Sequence, residues 1–244
     1  MRLRAQLLNL GGMAAGLIAL GALVPAAMSA QDQGEAVADP SSRVGDARWE
    51  LGAAFTVMSP RGHFGTLVGE RFGAGLSATL GFDDVPVFRV RFDAGYVNYG
   101  SETVEFPLFS ATDRVLDSIV TLNHILYSGL GPEVRLPYGP VQPYVNGFVG
   151  IGYFFTASAS DHEMTVNLGD LRPAYGFGGG LSIRLNRSGR PLRLKLDAQY
   201  RQHGQTKYLI PGSIVEDGSG GTSVTAISSD VDFLLFQVGL TVGL

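Results

Sequence analysis

A chain of 244 residues with 16% charged residues and 34 glycines is poorer in charge than the ~25% of an average soluble protein and about twice as rich in glycine as the usual ~7%. Its formal charge of −4 at pH 7 argues against a nucleic-acid partner, which needs a basic patch. The sequence contains no cysteine, which excludes disulfides, thiolate metal sites and cysteine nucleophiles.

Residues 1–30 carry Arg2 and Arg4, then an apolar run from Leu7 to Val24, then the small residues Ala26, Ala27, Ser29 and Ala30. This is the layout of a secretory signal peptide, with cleavage expected after Ser29 or Ala30. Residues 31–46 are polar and include Pro40, Ser41 and Ser42, which predicts a flexible periplasmic lead-in. No window beyond residue 30 holds the ~18 uninterrupted apolar residues of a spanning helix. Any membrane passage must therefore be made by strands.

From Ala47 to the end, 47–244, apolar residues recur at every second position. Trp49, Leu51, Ala53, Phe55 and Val57 oppose Glu50, Gly52, Ala54 and Thr56. Phe72, Leu76 and Leu80 oppose Arg71, Gly75 and Thr79; Phe88, Val90 and Phe92 oppose Arg89, Arg91 and Asp93. The stretch from Ile125 to Phe155 then reads as two strands around the turn Pro137, Tyr138, Gly139, Pro140. Its first arm sets Leu126, Leu130, Val134 and Leu136 against Gly129, Gly131, Glu133 and Arg135. The second sets Val145, Val149, Ile151 and Tyr153 against Tyr144, Asn146, Phe148 and Gly150. Arms of about fifteen residues exceed the ~5–6 of globular strands and suffice to cross a bilayer at a tilt.

A sixth strand (Tyr175, Phe177, Leu181, Ile183 against Gly176, Gly178, Ser182, Arg184) and a seventh follow. In the seventh, Leu192, Leu194, Leu196 and Ala198 alternate with Arg193, Lys195, Asp197 and Gln199. An eighth carries Leu234, Phe236, Val238, Leu240 and Val242. Connections alternate between short (Asp83 to Pro86, Pro137 to Pro140, Asn186 to Pro191) and long (Ser59 to Gly69, Gly100 to Asp117, Ala157 to Leu171, Gly204 to Asp230). These periods predict an all-β fold, an eight-stranded antiparallel up-and-down transmembrane β-barrel with short periplasmic turns and long extracellular loops.

The segment GLGPEVRLPYGPVQPYVNGFVGIGY resembles the periplasmic hairpin of the small bacterial outer-membrane barrels, the OmpA-like eight-stranded barrel family. That resemblance implies an outer-membrane location after signal-peptide cleavage, contact with outer-membrane lipid and lipopolysaccharide, and handling by the barrel-assembly machinery. Gln237, Gly239, Val242 and Leu244 resemble the family's assembly signal on the last strand. Leu244 departs from it, since an aromatic residue usually stands there.

By parity Glu50, Arg89, Arg91, Asp93, Glu133, Arg135, Arg184, Arg193, Lys195 and Asp197 face the lumen. Eight strands leave room only for side chains, so the charges are expected to pair and close the barrel; a mildly basic gated path is the other reading. Of the histidines, His63 and His162 fall in long loops, and His124 and His203 have no Ser two residues away, so no catalytic residues are assigned. No acidic spacing matches a metal-binding loop, and no cofactor is expected. The loop patches Phe106, Leu108, Phe109 and Tyr208, Leu209, Ile210 either pack over the barrel mouth or offer an extracellular ligand or host surface a place to dock. The sequence thus points to a non-catalytic structural or surface-interaction barrel, with a narrow channel for small or hydrophobic solutes as the alternative.

Overall fold

The computed structural model describes residues 48–109, 114–160, 163–210, 213–216 and 222–244. The expected leader (1–30) and lead-in (31–46) lie outside the described residues, as do Ala47 and His162.

The chain runs through β1 (Trp49–Arg61), helix α1 (Gly62–Leu67), β2 (Arg71–Gly81), β3 (Phe88–Phe109), β4 (Arg114–Arg135), β5 (Val141–Ser160), β6 (Glu163–Arg184) and β7 (Leu192–Tyr208). A small hairpin, β8 (Ile214–Glu216) with β9 (Thr222–Val224), precedes β10 (Ile227–Gly243). Eight of these strands close into a barrel in the order β1-β10-β7-β6-β5-β4-β3-β2, every neighbouring pair antiparallel. The closing ladder pairs Leu51 with Val242 and Phe55 with Val238. Closure leaves the membrane-spanning part of the sheet without an edge, the condition for strands to cross hydrocarbon.

The barrel is inverted relative to a soluble one. Leu130, Val149, Phe177, Phe236 and Leu240 stand exposed on the outside, whereas Glu50, Arg89, Glu133, Arg135 and Arg193 are each at most 2% exposed inside. Aromatic rings bunch on the outer surface near each end: Trp49, Phe82 and Phe88 toward the short turns, and Phe72, Tyr96, Tyr175 and Tyr200 toward the other. Glycine supplies the room for close strand contact between β4 and β5. A Cβ at Gly150 would lie 2.0 Å from the Ser128 carbonyl, and one at Gly131 2.0 Å from the Gly147 carbonyl.

The long connections differ from expectation, because most of their length is regular structure. β3 and β4 continue as a ladder through Gly100↔Asn123 to Phe109↔Arg114, and β5 and β6 pair out to Ser160↔Glu163. Backbone pairing therefore persists into stretches expected to be loops. Bulges mark the change, at Asn98/Gly100, Thr156/Ala157 and Asp230/Asp232. The last stands opposite the stretch of β7 containing Gly204, whose φ of 62° suits a residue lacking a Cβ. The first long connection folds inward as α1.

Candidate functional site: the filled lumen

Inward-facing side chains from five strands meet near the short-turn end. Arg135 (β4) donates through Nη1 to both Glu50 (β1) oxygens at 2.9 Å, and through Nε and Nη2 to Glu133 Oε1 at 2.9 and 2.6 Å. Arg89 lies 3.4 Å and Arg193 3.5 Å from the same Glu50 carboxylate. Arg193 also donates to Gln142 Oε1 at 2.8 Å. One level further in, Arg91 (β3) donates to Asp93 Oδ1 at 2.9 Å and, across the lumen, to Asp197 on β7. Glu133 Oε2 sits 3.5 Å from Arg91 and 3.6 Å from Lys195.

The residues assigned to the lumen by parity therefore come together, with one exception. Arg184 is half-buried at the turn, where its Nε donates to the Asn186 carbonyl, and it stands apart from this lattice.

The charge cluster expected from the sequence leaves out Arg201, which is 0% exposed. With it, the six cations Arg89, Arg91, Arg135, Arg193, Lys195 and Arg201 face the four acids Glu50, Asp93, Glu133 and Asp197. Aromatic faces take up the difference. Arg91, Arg135 and Lys195 surround the Tyr144 ring at 5.5, 5.7 and 4.9 Å, and Arg201 lies between Tyr127 and Phe148 at 4.5 and 4.2 Å. Ring quadrupoles stabilise desolvated cations in this geometry. Arg201 also donates to Gln199 Oε1, and Gln199 in turn donates to Asp197 at 3.0 Å.

Above Arg201 the lumen turns apolar. Met58, Val97, Tyr99, Ile125, Phe154, Val231, Phe233 and Leu235 form one buried cluster with Phe64, Val68, Tyr127 and Tyr208. His203, 2% exposed, stacks on Phe233 and meets Phe154 edge-on. Helix α1 caps this cluster by inserting Phe64, whose ring packs edge-on against Tyr99 and Tyr208 at 5.8 and 5.0 Å.

Beside the small residues Ala54, Gly75, Ser77 and Gly239 a void of about 20 Å³ is left, room for roughly one water. Among the described residues no group of His and carboxylates could hold a metal.

The remaining sequence candidates fall as follows. Tyr208 and Leu209 are 1% exposed and Ile210 packs against the same cluster, so this patch covers the mouth and offers no docking face. Phe106, Leu108 and Phe109 lie on the outer part of β3 with side chains outside the described residues. Gln237 faces inward and donates to Thr56 and Tyr127; Gly239 pairs with Ala54 beside it; Val242 and Leu244 face outward. His124 is buried between Tyr96 and Phe155, with 2.6 Å between Tyr96 Oη and its Nδ1. Ser160 ends β5 two residues before His162, which is outside the described residues.

An apolar exterior with aromatic girdles, a closed antiparallel sheet and a charged interior define an outer-membrane-type β-barrel. No family model matches the sequence, and no curated protein matches it. The chain is similar to a number of solved structures, among them these three. Neisserial surface protein A has 12% identity and a TM-score of 0.49, over 82% of this chain and 99% of that one. Ail, the attachment invasion locus protein of Yersinia pestis, has 15% identity and a TM-score of 0.43, over 81% and 99%. The outer membrane protein OprG from Pseudomonas aeruginosa has 15% identity and a TM-score of 0.38, over 81% and 95%.

Proposed function

We propose that this chain is a closed barrel of the bacterial outer membrane that serves as a structural and surface-interaction protein and catalyses no reaction. Its short turns face the periplasm and its extended hairpins face outward, available to an extracellular ligand or a host surface. The observation that carries this reading is the filled lumen: an ion-pair lattice at one level and an apolar cluster capped by Phe64 at the next. A path for solute would have to break both. Liposome swelling tests it: vesicles holding the refolded barrel should swell in small sugars no faster than empty ones. Rapid swelling would favour the narrow channel for small or hydrophobic solutes instead.

A further inference from the structure

The three short turns at one end of the barrel carry different charge. The β2–β3 turn holds Asp83 and Asp84, the β4–β5 turn Pro137, Tyr138, Gly139 and Pro140, and the β6–β7 turn Arg187 and Arg190 with no acid among its residues. That last turn is also held in shape by side-chain hydrogen bonds. Asn186 Nδ2 donates to the carbonyls of Ser188 at 2.9 Å and Arg190 at 2.7 Å, and its Oδ1 accepts from the Leu192 amide at 2.9 Å. Arg184 Nε donates to the Asn186 carbonyl from the inner side at 2.9 Å, and Gly189 takes the left-handed φ of 74° that closes the loop. Arg187 and Arg190 are exposed at the rim of this frame.

Directly beside it lies hydrocarbon-facing surface. Leu185, the residue after Arg184, is 52% exposed on the outer face, in line with Leu181 at 38%. A molecule standing against this wall would meet apolar side chains along its length and two guanidinium groups at its end. The geometry points to a binding site for the phosphate of an anionic phospholipid in the leaflet that the short turns border, with its acyl chains along Leu181 and Leu185. Guanidinium groups match phosphate oxygens in pairs of hydrogen bonds, and the lipid wall supplies the second half of the recognition.

This inference rests on the transmembrane reading, and its test keeps the two apart. The barrel is refolded into vesicles, extracted in mild detergent and examined by native mass spectrometry with phosphatidylglycerol and phosphatidylethanolamine at equal amounts. Retention of phosphatidylglycerol in preference should fall on the order of 30-fold in the double variant Arg187→Gln, Arg190→Gln, at roughly 1 kcal/mol per arginine. Asn186→Ala keeps both charges but frees the turn, and should lose part of the preference. Equal retention of the two lipids, or a preference unchanged in the double variant, would overturn the site. So would displacement of the lipid by millimolar inorganic phosphate, because the acyl contacts would then contribute nothing. A barrel that failed to enter vesicles at all would instead contradict the transmembrane reading.

Discussion

Glu133 holds the lattice together, because its carboxylate is within reach of Arg135, Arg91 and Lys195 and is 0% exposed. Glu133→Gln leaves buried cations short of an anion, and the expected cost is about 3–5 kcal/mol, read as a lower midpoint in urea titrations of the folded barrel in lipid. Arg201 offers the contrast. Its guanidinium is held by Tyr127, Phe148 and Gln199 with no carboxylate among its closest contacts, so Arg201→Met should cost about 2 kcal/mol or less. Equal losses in the same titration would mean that acids and rings do not divide the cations as described. Period two made the inward position of most lumen charges legible in the sequence, from Arg193, Lys195 and Asp197 on β7 to Glu133 and Arg135 on β4, with Arg201 left out. Pairing was not legible. Arg91 finds Asp197 and Arg135 finds Glu50 across the lumen, between strands that are not neighbours, and barrel tilt and stagger set that meeting.

Among the elements, α1 was hidden in the sequence. GHFGTL is too short and too glycine-rich to announce a helix, and it forms because Phe64 gains a buried place among Tyr99 and Tyr208. Phe64→Ala should therefore cost about 3–5 kcal/mol and loosen the cap, so that trypsin cuts after Arg61 faster than in the parent chain. A helix that stayed as resistant as before would show that the ring is not what holds it down.

The apolar upper lumen was legible but easily passed over, since Val97, Ile125, Phe154, Phe233 and Leu235 keep the inward parity of their strands while changing from charged to apolar. On the outside, Leu196 of β7 pairs with Leu181 and Val238 and faces lipid. Leu196→Arg should cost roughly 2–4 kcal/mol if the site lies near the bilayer midplane, while Leu196→Val should refold almost as the parent does. Similar midpoints for the two variants would place this face away from hydrocarbon.

At the scale of the whole molecule, eight strands set a bore that side chains can fill, and this chain fills it twice, with paired charge near the short turns and with apolar rings near the hairpins. The strand count, the antiparallel order and the inside-out distribution of apolar residues were all readable from period two and the short turns. The reach of the hairpins was not, because nothing in the sequence from Gly100 to Asp117 marks where backbone pairing stops. Single-channel recording in planar bilayers tests the closed lumen most directly. The refolded wild-type barrel should insert and remain electrically silent, and Glu133→Gln should lower stability without opening a steady conductance. A reproducible wild-type conductance, with selectivity altered by Glu133→Gln, would contradict the closed lumen and the structural role built on it.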